Sequence, residues 1–281
     1  MDSFGFAIIA IVLLTIFLRI KRRVDAVDAV LRDARRRRTN MRLGNVSEIQ
    51  ALTNGRVDLT ELKNLTAELQ ELGFNFFGDI LGDVTYDPIP APKPSPIVDP
   101  HQQIEPQSKY DVQVNGIGRV FAHPNYGCYA ILISAVSKVH FDTELGLKDK
   151  IKVAPFRTAI VSMENSADNS WSFANTNRES DPFSQLQRHP RRLGHHMCSA
   201  TPEQLLRAHL VERDDIAERG GFQWDMELSM EKFRAREEET MRHLRNVYEN
   251  KNAISVALFL FTYKYKNHDW WLGELGRSPK Q

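Results

Sequence analysis

The sequence predicts an α+β fold: an N-terminal transmembrane helix followed by a soluble domain with an antiparallel sheet of five to six strands and two to four helices. Three observations predict it. An uncharged run over residues 4–18 is followed at once by a basic segment. Apolar residues alternate with period two from Tyr110 onward, the mark of half-buried strands. Helical periodicity with recognisable caps brackets that region on both sides. Three parts follow: an anchor over 1–20, a basic juxtamembrane helix and linker over 21–56, and one α+β domain over 57–281 with a proline-rich loop at 88–108.

The anchor comes first in the chain. Its fifteen uncharged residues (4–18) are nearly all Ala, Val, Ile, Leu or Phe. At ~1.5 Å per residue they cover ~22 Å, short of a ~30 Å hydrocarbon core. Met1 and Ser3 at one end, and snorkelling of Arg19 and Lys21 at the other, extend the expected span to about 20 residues. No Lys or Arg precedes the run and Asp2 does, which argues against a cleaved signal peptide.

Residues 19–42 then hold ten Arg or Lys against three Asp, a net +7. Positive flanks stay on the cytoplasmic side, so the expectation is a single-pass membrane protein with its N-terminus outside and a cytoplasmic C-terminal domain. The lipid bilayer is the expected partner of residues 4–20. Arg19, Lys21, Arg22, Arg23, Arg35, Arg36, Arg37 and Arg38 are the expected membrane-surface residues, facing anionic lipid headgroups. A solvated flank with no further role is the competing reading. Val24, Val27 and Leu31 place a short apolar stripe on this segment as a helix.

Composition bounds what the remainder can be. Hydrophobic residues make up 42% and charged residues 26% of 281, enough for a buried core. A net charge of +1 argues against a nucleic-acid partner. Two cysteines, Cys128 and Cys198, are too few for a disulfide framework and fit reduced thiols.

Along the chain, residues 39–56 are polar with two glycines and read as linker. Asp58-Leu-Thr-Glu61 is a capping-box pattern opening a helix whose leucines form one face, with Gly73 as its stop. Residues 74–87 read as one or two strands interrupted at Gly78 and Gly82. Seven prolines over 88–108 exclude helix and central strand. They suit a solvated loop, or a ligand for an aromatic groove. Strands are expected over 119–123, 128–136, 139–143, 157–163 and 171–176, with turns at 123–127 and 164–170. Residues 177–200 read as irregular. Thr201-Pro-Glu-Gln204 opens a helix with a full capping box. A second runs over 229–250. The apolar run at 253–263 is too short to span a bilayer and reads as helix, with strand as the alternative.

Two groups of residues carry candidate chemistry. His189, His195, His196 and Cys198 lie within ten residues and are the ligand types zinc or copper takes, though at no standard spacing. Cys128 with His123 or His140 is a candidate nucleophile and base. In one regular strand, twelve residues would hold Cys128 and His140 ~40 Å apart, so that pair needs a hairpin. Gly116-Ile-Gly118 lacks the third glycine and the lysine of a phosphate loop. No cofactor is expected. The function these features favour is a protein-interaction or structural module with an unidentified protein partner. The alternatives are a hydrolase with a Cys/His or metal-assisted site, and a sensor that binds a small ligand.

Overall fold

The computed structural model describes residues 3–86, 113–141, 148–165, 170–179, 188–262, 270–271 and 275. The proline-rich stretch at 88–108 lies outside them. Six helices and nine strands occur among the described residues. The helices are α1 (Ser3–Arg36), α2 (Val46–Leu52), α3 (Leu59–Glu71), α4 (Pro202–Gly220), α5 (Met230–Asn250) and α6 (Ala253–Thr262). The strands are β1 (Arg37–Gly44), β2 (Asn75–Tyr86), β3 (Gln113–His123), β4 (Cys128–Phe141) and β5 (Lys148–Val153), then β6 (Arg157–Met163), β7 (Ser172–Thr176), β8 (Arg192–His196) and β9 (Trp270–Trp271).

One sheet runs in the order β1-β2-β3-β4-β6-β7-β8-β9, and β5 pairs with the outer part of β4. All pairs are antiparallel except β7 with β8. The middle of the sheet is buried on both faces. In β4, Cys128, Ala130 and Leu132 face one way and Tyr129 and Ile131 the other, and all five are at most 5% exposed. Helices therefore cover both faces. Ile49 of α2, Leu62 and Leu69 of α3, and Leu205 and Leu206 of α4 pack with Phe121, Ala130, Leu132 and Ile160 on the first. Phe233 of α5, with Met230 beside it, packs with Ile80, Val120, Tyr129 and Ile131 on the second.

The helix ends follow their sequence signals. Asp58 accepts from Glu61 N at 2.9 Å, and Thr201 and Gln204 form the reciprocal capping box. Gly221 closes α4 at φ 69°, a left-handed conformation that glycine adopts without strain. A bidentate pair fastens the first helical layer. Arg119 donates to Asp79 at 2.7 and 3.1 Å and to Thr66 Oγ1 of α3 at 3.0 Å.

Several expectations are corrected. Among the described residues no helix is long and apolar enough to cross a membrane. The transmembrane anchor, the outside N-terminus and the cytoplasmic orientation all lose their basis. The physical reason is length: the uncharged run ends at Leu18, ~22 Å of helix against a ~30 Å hydrocarbon core, and the rest of the 34-residue α1 carries charge as far as Arg36. Its second half docks on the domain, with Val27 and Leu31 buried against Val256 of α6. Arg35 donates to Tyr248 O at 2.9 Å and Lys251 O at 2.6 Å, so this collar arginine serves a helix junction. Among the described residues the sheet has nine strands rather than five to six, and five helices follow α1 rather than two to four.

The expected linker at 39–56 contains most of β1 and all of α2. There Asn45 accepts from Glu48 N at 2.9 Å and Ile49 is buried. The expected break at Gly78 and Gly82 is instead one strand whose register shifts beside those glycines. Residues 253–262 are helix.

Phe233→Ala tests the second layer. Removing this fully buried ring should cost about 3–5 kcal/mol of unfolding free energy, measured by urea denaturation. A loss under about 1 kcal/mol would mean that α5 is not anchored through it.

Candidate functional site

Helix α5 lies across the second face of the sheet and leaves a cleft along its side. Its start is fixed by β4: Tyr129 OH donates to Ser229 O at 2.9 Å and accepts from Ser229 N at 3.1 Å. Ser229 caps the helix by accepting from Lys232 N at 3.1 Å. Farther along, Arg236 donates to the carbonyls of Ser170 and of Trp171, the latter at 3.0 Å. Arg192 of β8 meets Glu237 at 2.9 Å. These ties hold α5 against the β6–β7 turn, and the space between them is a cleft of about 890 Å³. That is the size range of small-molecule sites.

The cleft is lined by polar and charged groups. Lys232, Arg236 and Arg242 are matched by the same number of carboxylates, Glu164, Asp225 and Glu239. Most are paired: Lys232 with Asp225 at 2.7 Å, Arg236 with Glu239 at 2.6 Å. Glu164 accepts from Trp171 N at 2.7 Å. Arg242 stands exposed on the rim.

Two histidines face each other in this cleft. His189 and His243 have ring centroids 4.5 Å apart, edge to face. Burial lowers the pKa of both. For His189 the neighbouring His243, Arg192 and Arg236 push the same way, and Glu239 opposes them. Two polar atoms here have no hydrogen-bond partner despite burial: His243 Nε2 and Arg236 Nε. Arg236 is only 8% exposed, and burial lowers its pKa against the pull of Glu239.

A second polar group lies on the opposite face of the sheet, under α4. His209 is fully buried and stacks on Phe173 at 5.1 Å. Ser162 Oγ lies 2.8 Å from its Nε2, and Asn175 Oδ1 lies 2.8 Å from its Nδ1. Asn175 Nδ2 donates to Glu212 at 2.7 Å, and Glu212 also meets His195 Nδ1 at 3.0 Å. One directionality satisfies every member: Ser162 donates to Nε2, Nδ1–H donates to Asn175, and Glu212 accepts from both sides. The serine–histidine–amide order is that of a hydrolytic triad. Ser162, His209 and Asn175 are each 0% exposed, however. Substrate has no route to that hydroxyl, and burial takes His209 down to about 3, far too low for a base at neutral pH. The group ties α4 to β6 and β7.

The residues expected to carry chemistry separate. His123 is opposite Cys128 across the β3–β4 turn, but its ring is held by Leu72 O at 3.1 Å and Asn125 N at 3.3 Å. Burial pushes the Cys128 thiol up to about 12. His140 lies on the same strand as Cys128, twelve residues along, so no hairpin brings the two together. Among the described residues no group of three or more His, Cys, Asp or Glu could hold a metal ion. His195 and His196 are successive strand residues on opposite faces. His195 serves Glu212, while His196 meets Arg178 O at 2.8 Å and Arg188 at 2.7 Å. Cys198 is exposed beyond the strand end. His189 alone reaches the cleft.

His243, Arg236, His209 and Ser162 were absent from the sequence reading of candidates. Arg236 and His243 sit on α5 seven residues apart, two helical turns, so they share a face. That spacing was the one signal in the sequence. Comparison with protein families, with curated proteins and with solved structures finds no match for this chain.

Two measurements check these assignments. Iodoacetamide at neutral pH should label Cys198 and spare Cys128 until the chain is unfolded; native labelling of both thiols would contradict the burial of Cys128. His209, neutral when folded, has a folded pKa below its unfolded value. Its stabilisation should be complete above about pH 6.5 and fall with pH toward about 3, at up to ~1.4 kcal/mol per pH unit. The urea midpoint of the native chain should therefore drop faster between pH 6.5 and 4.5 than that of His209→Gln; parallel curves would refute it.

Proposed function

We propose that this chain is a binding module that takes a small polar ligand in the cleft beside α5 and performs no bond-making chemistry on it. The observation that supports this reading is the cleft itself, a volume of about 890 Å³ lined by charged and polar side chains of α5 and the β6–β7 turn. Among the described residues lining the cleft, no serine or cysteine is hydrogen-bonded to an imidazole, so the pairing a hydrolase needs is missing from the open site. This is the ligand-sensing alternative of the sequence reading. The protein-docking alternative has an observation of its own: Ile254 and Leu258, one turn apart on α6, and Phe17, Leu18 and Ile20 on α1 are exposed apolar residues of two helices that pack together.

Ala235 lines the cleft and is solvent-exposed on α5, so Ala235→Trp should block the cleft without disturbing the core. A thermal-shift panel of anionic, cationic, zwitterionic and neutral polar solutes should find at least one class that raises the Tm saturably. Ala235→Trp should abolish that shift while melting near the native temperature. A panel with no shift, or a shift that survives the blocking residue, would overturn the reading.

A further inference from the structure

Helix α1 has a part that docks and a part that does not. Val27 and Leu31 pack on Val256 of α6, and Arg35 donates to the carbonyls of Tyr248 and Lys251. Nearer the N-terminus, every residue from Phe17 to Arg23 is exposed. At ~3.6 residues per turn, so long a consecutive stretch takes in every side of the helix, which there stands clear of the other described residues. Phe17, Leu18 and Ile20 are 62%, 46% and 54% exposed, and they continue the uncharged run of residues 4–18. Arg19, Lys21, Arg22 and Arg23 lie between and after them. Among the described residues no ion pair or hydrogen bond engages these cations.

An occupant of this surface has to satisfy both kinds of side chain. A groove on a folded protein covers one side of a helix, whereas a helix that is apolar all round is matched by hydrocarbon, which surrounds it. The cations at the end of the run call for negative charge where the hydrocarbon stops. A second copy of this chain aligned alongside covers one side only and sets the same cations against one another. A lipid surface with anionic headgroups meets both requirements.

We propose that the free end of α1 docks this protein on an anionic lipid surface without crossing it. Phe17, Leu18 and Ile20 enter the boundary between headgroups and acyl chains, and Arg19, Lys21, Arg22 and Arg23 face the anionic headgroups. Asp2 precedes the uncharged run and Arg19 follows it, and its ~22 Å fall short of a ~30 Å core. The run therefore lies along that boundary, with both charged ends among the headgroups. None of these residues lines the cleft beside α5, so the docking and the ligand reading stand or fall separately.

The test sediments the full chain with vesicles of phosphatidylcholine alone, or of phosphatidylcholine mixed with phosphatidylserine. Each basic side chain at an anionic surface strengthens binding about fivefold, so the mixed vesicles should bind at least about a hundredfold more tightly. Raising the salt should erase most of that difference. Lys21→Gln combined with Arg22→Gln should weaken binding to the mixed vesicles about twentyfold. Lys63→Gln, at an exposed cation of α3, should leave it unchanged. Insertion is read with Phe17→Trp, whose added fluorescence should be quenched by lipids brominated on their acyl chains. Equal binding to the two vesicles, an unaffected double variant, or fluorescence that escapes the brominated lipids overturns the proposal. So does a native chain that ignores both vesicles and sediments as a dimer that Phe17→Ser dissociates, because a second copy then covers the surface.

Discussion

The rest of the structure depends on one strand being buried from both sides. Residues 128–132 of β4 alternate small and large side chains, and neither set reaches solvent. A strand in that position cannot be finished by one layer of helices. Helices α3 and α4 close the first face, and α5 must close the second. Burying Tyr129 also buries its hydroxyl, which then needs partners. It takes them from both backbone groups of Ser229, the residue that caps α5. The same side chain thus builds the core and fixes where α5 begins, and the cleft is set from that origin.

The two faces handle buried polarity differently. Under α4, the serine, histidine, asparagine and glutamate form a chain in which each donor meets an acceptor. A network satisfied throughout orients the helix and exposes nothing. Beside α5, the paired charges are also satisfied, but His243 Nε2 and Arg236 Nε are not. The contrast separates two clusters that look alike in residue type. Completeness of hydrogen bonding marks the structural cluster, whereas the orphaned atoms beside α5 are themselves sealed from solvent.

How much of this was legible in the sequence follows from which signals are local. Helix caps are local: Asp58, Thr201 and Ser229 begin helices as their side chains dictate. So are antiparallel turns, and residues 119–136 are the hairpin their alternation implies. Strands β1, β5, β8 and β9 have no counterpart in the sequence expectation, and β1 and β8 are polar and take their places from distant partners. β1 borrows its register from β2 some forty residues on, and β8 lies parallel to β7 with Leu193 as its one buried apolar residue. The N-terminal run was misread for a related reason. A window confined to residues 4–18 sees only apolar residues, whereas α1 as a helix includes Asp25, Asp28 and the arginines, and its stripe at Val27 and Leu31 has a partner in α6 more than two hundred residues away. The cleft needed three segments remote in sequence, so only the two-turn spacing of Arg236 and His243 was visible.

Reactive residue types misled for a physical reason. Cys128, Ser162 and His209 are the types nucleophilic chemistry uses, and their positions in the fold take away what makes them reactive. Burial keeps the thiol protonated and the imidazole neutral at neutral pH, and it closes the hydroxyl to substrate. In the cleft the situation is reversed: access is present, but no nucleophile stands beside a base. Catalysis requires reactivity and access in one place, and among the described residues they fall on opposite faces of the sheet. What remains in the open cleft is a lining of paired charges on α5 and its neighbours, and the proposed ligand reading rests on that lining.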